Sequence, residues 1–264
     1  MKRWNRLSSI NPTAIKVEKD ETTPTQRRKQ RSNAFIEVLR DTFDSQATFH
    51  QNWRISNGEA GILSSCRWSS SCVELDEEGL RLTLNKAMYH RRLGSLLMNF
   101  FIATPLESTF IGGRINLSTS FVECGKYQAL IRPPRVPGIV TSFLLKGSGS
   151  NEITAVEFVG NSTNTVQIGH CSPEYEAYHT VEVVPREDGW FQVLLVWNEG
   201  SIEWTINDHR IHSTKERVPK IPLKPCFCIW SVDSGIEQAV LWAGRHTYHG
   251  TPVYAYVKQF NITV

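Results

Sequence analysis

Glu152 and Glu157 lie five residues apart in the run 152-EITAVEFV-159, whose β-branched and aromatic residues predict a strand. Side chains of a regular strand alternate faces, so this spacing would send the two carboxyls to opposite sides. One extra residue, taken up as a β-bulge at Ala155 and Val156, returns Glu152, Thr154 and Glu157 to a common face and leaves Ile153 and Phe158 toward the core. Two carboxyls so placed can cleave a glycosidic bond with retention. One attacks the anomeric carbon, the other protonates the leaving oxygen and then activates water, with the carboxyl groups about 5–5.5 Å apart. Mutual repulsion and partial burial keep the acid protonated while its neighbour stays ionised. By itself the spacing more often marks two solvated strand-face glutamates, so the surrounding sequence has to decide.

The elements that must position this pair read as an all-β domain. From residue 34 onward, short runs rich in Val, Ile, Phe, Thr and Trp alternate with turn residues, the pattern of a sandwich. EGLRLTLN (78–85) alternates with Leu80, Leu82 and Leu84 on one face. Further strands are predicted over 111–118, 121–132, 139–146, 152–159, 164–169, 178–184, 190–198, 201–207, 226–232 and 253–263, with hairpin turns at Glu199-Gly200 and Asn207-Asp208. Only 34–42 (AFIEVLRDT) has a helical pattern. No internal repeat and no second domain is visible. The division expected is a disordered basic tail over 1–33, marked by QRRKQR at 26–31, followed by one domain over 34–264.

Charge and composition exclude several classes. Of the 29 Lys and Arg and 26 Asp and Glu, nine and three fall in residues 1–33, so that segment carries +6 and the remainder −3. A nucleic-acid-binding fold would carry its basic face on the domain itself, so no nucleic-acid partner is expected. No run of about 18 apolar residues suggests a transmembrane helix, and no signal peptide is visible. The compartment stays open: cytoplasmic, exported by a non-classical route, or extracellular if a leader is missing. Cys66 and Cys72 are near enough in sequence to close a small loop, whereas Cys226 and Cys228 point the same way from one strand, and no spacing marks a zinc site. Asn116, Asn161 and Asn261 begin glycosylation sequons. Eight tryptophans exceed what a core of this size needs, so some are candidates for stacking on sugar faces.

NEITAVEFVGN (151–161) resembles the signature strand of glycoside hydrolase family 16, which carries E-[IL]-D-x-E or the bulged E-[IL]-D-x-x-E. The resemblance continues in order through GGRINLSTSFVECGKYQALIRPPRVPGIVTSFLL (112–145), YHTVEVVPREDGWFQVLLVWNEGSIEWTINDHRIH (178–212), IWSVDSG (229–235), LWAGR (241–245) and TPVYAYVKQFNI (251–262). It covers essentially everything after the tail. An ordered series of this kind is far more specific than the glutamate pair.

The resemblance implies a concanavalin A-like jelly roll of two antiparallel sheets, the concave one holding a glycan groove. Glu152 falls on the family nucleophile and Glu157 on the acid/base. Trp230 falls on the tryptophan that packs under the sugar, and Gln167 in TVQIGHC on a polar residue facing the groove. Asn161 and Trp204 complete the expected substrate-binding set, with core packing an equal alternative for Trp204; His179 reads as a structural hydrogen-bonder. The implied partner is a polysaccharide, the chain is expected to be a monomer, and no cofactor is required. Many members hold a structural calcium ion, whose ligands have no assignment in this sequence. Two departures stand out. Thr154 occupies the place of the family aspartate beside the nucleophile and brings a hydroxyl without charge, and Leu144 stands where the family has tryptophan. The implied activity is an endo-acting retaining β-glycanase, on β-1,3- or β-1,3/1,4-glucan first and galactan next, with transglycosylation as a variant of the same chemistry. The alternatives are a non-catalytic carbohydrate-binding protein on the same fold and a partner-binding sandwich.

Overall fold

The structure, a computed structural model, describes residues 36–61, 63–87, 110–118, 124–162 and 164–264. The basic segment 1–33 and predicted strand residues 121–123 lie outside these. The chain begins with β1 (Glu37–Asp41), α1 (Gln46–Asn52), β2 (Trp53–Ile55), β3 (Gly58–Glu59), β4 (Cys66–Trp68), β5 (Val73–Asp76) and β6 (Gly79–Lys86). Next come β7 (Phe110–Gly112), β8 (Arg114–Leu117), β9 (Gly125–Arg132), β10 (Ile139–Lys146), β11 (Glu152–Val159), β12 (Thr165–Ser172) and β13 (Tyr175–Glu182). The last are β14 (Phe191–Asn198), β15 (Ser201–Ile206), β16 (His209–Thr214), β17 (Lys224–Ser231), α2 (Glu237–Ala243) and β18 (Val253–Thr263).

These strands make two sheets. The seven-stranded sheet runs β13-β12-β11-β10-β17-β8-β2; the eleven-stranded sheet follows β16-β15-β14-β9-β18-β6-β7-β4-β3, with β1 joined to β18 and β5 to β6. The core fills the space between them, because every strand of a two-layer fold must bury one face. Phe143 and Phe227 of the seven-stranded sheet stack at 4.7 Å, and Phe260 of β18 meets both rings edge-on at 5.7 and 5.4 Å. Leu80, Leu82 and Leu84 are all buried in that core, as their alternation predicts.

Two expectations need correction. Residues 37–41 form a strand, not a helix: Leu39 and Asp41 pair with Ile262 and Phe260 of β18. A nine-residue helical pattern is too short to be stable by itself, and the open edge of β18 supplies backbone partners. Asp41 then anchors the strand, its buried carboxylate accepting hydrogen bonds from Trp53 Nε1 at 2.9 Å and the Phe43 amide at 2.9 Å. The predicted strand 111–118 is in fact two, β7 in one sheet and β8 in the other. The chain crosses between sheets at Gly112-Gly113, where a Cβ would sit 2.4 Å from the Ile229 carbonyl oxygen or 2.3 Å from that of Cys72. Only glycine fits such a close backbone approach. The hairpin at Asn207-Asp208 is present, with φ of 49° and 66°, as a tight two-residue reversal requires.

Candidate active site

The bulge forms at the place the glutamate spacing requires. Along β10 the register steps from Phe143 opposite Val156 to Leu144 opposite Thr154, leaving Ala155 as the extra residue. Along β12, Thr154 faces Gly169 and Glu157 faces Gln167, so Ala155 and Val156 together span Ile168. Ile153, Ala155, Val156 and Phe158 join the core. From behind, Trp204 on β15 donates its indole N–H to the Thr154 carbonyl at 3.0 Å. That bond satisfies a polar group at the irregularity and locks it in place.

The opposite face of the sheet is laid out in cross-strand rows. One row holds Gln167, Glu157, Ser142, Cys228 and Arg114; the next Gly169, Thr154, Leu144, Cys226 and Asn116; the third Cys171, Glu152, Lys146 and Lys224. Glu152 is 6% exposed, Thr154 0% and Glu157 1%. Thr154 Oγ1 donates to Glu152 Oε1 at 3.1 Å, and Lys146 Nζ stands 2.8 Å from Glu152 Oε2. Ser142 Oγ donates to Glu157 Oε1 at 3.1 Å and accepts from Trp230 Nε1 at 3.3 Å. Among these contacts Glu152 meets a cation and a hydroxyl, and Glu157 a serine–indole chain. Unequal environments of this kind separate the roles of paired acids.

A cleft opens over these rows, lined by Leu144, Lys146, Glu157, Cys228, Trp230 and Arg114 from the sheet and by Ala60, Gly61, Leu63, Ser64 and Trp68 from the chain before β5. Ser64 Oγ ties that covering segment down by donating to the Ser231 carbonyl at 2.9 Å. The Arg114 guanidinium packs 5.6 Å above the Trp68 ring. Its pKa is raised, chiefly by the charge on Cys226. The Cys226 thiol is in turn held low, first by a hydrogen bond with Cys228 and then by the Arg114 and Lys146 cations, while Cys228 is driven up. All six cysteines are free thiols, Cys66 and Cys72 included.

The other expected site residues divide. Trp230 lines the cleft at 8% exposure and packs on Trp242 at 5.9 Å. Gln167 stands beside Glu157, 3% exposed, and its Oε1 accepts no hydrogen bond from the described residues. Trp204 is a correction: at 1% exposure it lies between the sheets and braces the back of β11, so it does not touch the groove. Asn161 ties α2 to the end of β11, its Nδ2 donating to the Trp242 carbonyl at 2.9 Å. His179 packs against His212 at 4.2 Å and is the cross-strand partner of Ile168, a core residue. Lys146, Ser142 and Arg114 are the residues that sequence reasoning missed. Their signal lay in register: Ser142 and Lys146 alternate along 139–146 on the face that meets the glutamates. Among the described residues, no group of three or more His, Cys, Asp or Glu converges as metal ligands.

Known proteins resemble this chain in sequence and in fold. A β-glucanase of Brevibacillus brevis is 26% identical over 149 residues, covering 53% of this chain and 55% of that protein, so the match spans about half the length of that relative. A β-glucanase of Paenibacillus macerans is 24% identical over 213 residues, covering 77% of this chain and 79% of the relative. The solved structure of a Bacillus licheniformis β-glucanase superposes with a TM-score of 0.71 at 20% identity, covering 86% of this chain and 97% of that one. This likeness speaks to the fold, the two-sheet jelly roll expected from the sequence. The model of the glycosyl hydrolases family 16 matches residues 63–249. By that match, which takes in well over half of its length, the chain belongs to glycosyl hydrolase family 16.

Proposed function

We propose that the chain is an endo-acting retaining β-glycanase, with β-1,3- or mixed β-1,3/1,4-glucan as its first substrate and galactan next. The observation that carries this reading is the bulge in β11, which sets Glu152 and Glu157 on one face beside the cleft. The names of the relatives, β-glucanases, support the choice of substrate. In the first step the Glu152 carboxylate attacks C1 while Glu157 gives its proton to the leaving oxygen. In the second, Glu157 takes a proton from water, the water oxygen bonds to C1, and Glu152 departs as a carboxylate. A sugar hydroxyl in place of that water gives transglycosylation. Trp230 offers an indole to the apolar face of a pyranose, and the open acceptor of Gln167 Oε1 suits a sugar hydroxyl.

The test is release of reducing ends from a panel of β-glucans and galactans. Wild type is expected to cleave at least one, and Glu152→Gln none. A second reading, a glycan-binding groove without turnover, is favoured by one observation: both oxygens of Glu152 are already engaged, by Thr154 and by Lys146. Binding without cleavage by wild type would decide for it.

A further inference from the structure

We propose that Lys146 is the positioning residue that keeps Glu152 ionised and aimed, taking over with a cation the task that a family aspartate would perform at position 154. The proposal rests on the retaining reading above. Lys146 closes β10, Glu152 opens β11, and the two are cross-strand partners. Their side chains are 27% and 8% exposed, and Nζ lies 2.8 Å from Oε2. A carboxylate so far withdrawn from water loses most of its hydration, and burial favours the neutral acid unless an opposite charge compensates. Thr154 contributes a single neutral donor to the other oxygen. Among the described residues, other titratable groups near Glu152 include Glu157 on its own strand, Cys171 on β12, Cys226 and Lys224 on β17, and Arg114 on β8, whose guanidinium also feels the Glu152 charge. Lys146 closes to ion-pair distance and supplies the compensating charge.

Its placement has a further oddity. Lys146 is the direct cross-strand partner of Lys224, and like charges set opposite each other destabilise a sheet. Such a juxtaposition is sustained when an anion lies between or beside the pair, and Glu152 is that anion for Lys146. A carboxylate oxygen carries two lone pairs, so an oxygen that holds the ammonium or the hydroxyl can still attack C1.

The consequence for the two steps is unequal. In the glycosyl-enzyme Glu152 is a neutral ester, and the ion pair is lost; it returns when Glu152 leaves as a carboxylate. Lys146 thus restrains the nucleophile in the first step and promotes its departure in the second.

The experiment compares full-length wild type with Lys146→Met, Lys146→Gln and Lys146→Arg. One readout is kcat and KM on mixed-linkage β-1,3/1,4-glucan across pH. The other is the 13C NMR titration of the glutamate carboxyls, with Glu152→Gln to assign the signal. Loss of the cation in either neutral variant is expected to move the acid limb of kcat/KM and the Glu152 titration upward together, by about one pH unit or more. It should also lower kcat about tenfold with little change in KM, and Lys146→Arg should restore most of both. A limb and titration unmoved in the neutral variants would overturn the proposal. If wild type cleaves no glycan, the retaining reading fails, while the titration still decides whether Lys146 sets the charge on Glu152. The two neutral variants guard against one that does not fold.

Discussion

Thr154 donates its hydroxyl hydrogen to Glu152 across 3.1 Å, so the side chain sharing the strand face with the candidate nucleophile is a neutral donor. Thr154→Val keeps the shape and removes that donor, and is expected to lower kcat about tenfold, in line with a hydrogen bond to a charged group of about 1.5–3 kcal/mol. Thr154→Asp adds a carboxyl at a position with 0% exposure, on the row next to Lys146. With Lys146 already supplying the charge beside Glu152, it is expected to lower kcat about tenfold, because a second buried carboxylate opposes the ionised form of its neighbour. Reducing-end release from mixed-linkage glucan checks both, and a large rise in the Asp variant would show that the site lacks its aspartate and that Lys146 has not replaced it.

Glu157→Gln removes the proton donor while leaving Ser142 and Trp230 in place. The loss should reach about 10²–10⁴-fold on polysaccharide, yet be slight in the first step with an aryl glycoside whose leaving group needs no proton. Proton NMR of the first-formed product is expected to show the β anomer, because a two-step displacement retains configuration. An α product would sink the double-displacement assignment.

Two tryptophans should part company. Trp230→Ala is expected to raise KM and lower kcat, since the ring lines the cleft and its Nε1 holds Ser142, which holds Glu157. Trp204→Phe removes the indole donor to the Thr154 carbonyl and should cost about 1–3 kcal/mol of stability, read as a lower urea midpoint. A rise in KM for the Trp204 variant without loss of stability would return that residue to the groove.

Acid should destabilise the fold through a histidine cluster that includes His170, the cross-strand partner of Ile153. Burial lowers His170, His179 and His212, and His212 falls from 6.5 to about 4, with the neighbouring His179 and His170 adding to the effect of burial. The unfolded chain therefore binds protons that the folded chain refuses. Stability from this cluster is full above pH 6.5 and is lost progressively as pH drops toward about 4. Urea unfolding at several pH values should show this slope, and His212→Phe should flatten it.

Much of this was legible before any coordinates. The alternation of Leu80, Leu82 and Leu84 and the turn chemistry of Asn207-Asp208 are local signals with a local cause, and the structure keeps them. The five-residue glutamate spacing implied a bulge because a strand has no other way to realign the two faces. What escaped notice depended on partners far along the chain. The 37–41 segment is a strand because β18 offers it an edge. Trp204 is buried because β15 packs behind β11, a relation no periodicity reveals. Lys146 looked like the end of a strand until the register set it against Glu152.

The bulge also bears on how such a chain can change length. An inserted residue normally turns the rest of a strand inside out, exchanging every groove residue for a core residue. Here Ala155 is absorbed by the irregularity, so Glu157 and Phe158 keep their proper sides. Removing Ala155 would leave a four-residue spacing, which in a regular strand again puts both carboxyls on one face. The parity of β11 is thus protected against the gain or loss of this one residue, and the strand is a place where an insertion or deletion can be survived without surrendering the site.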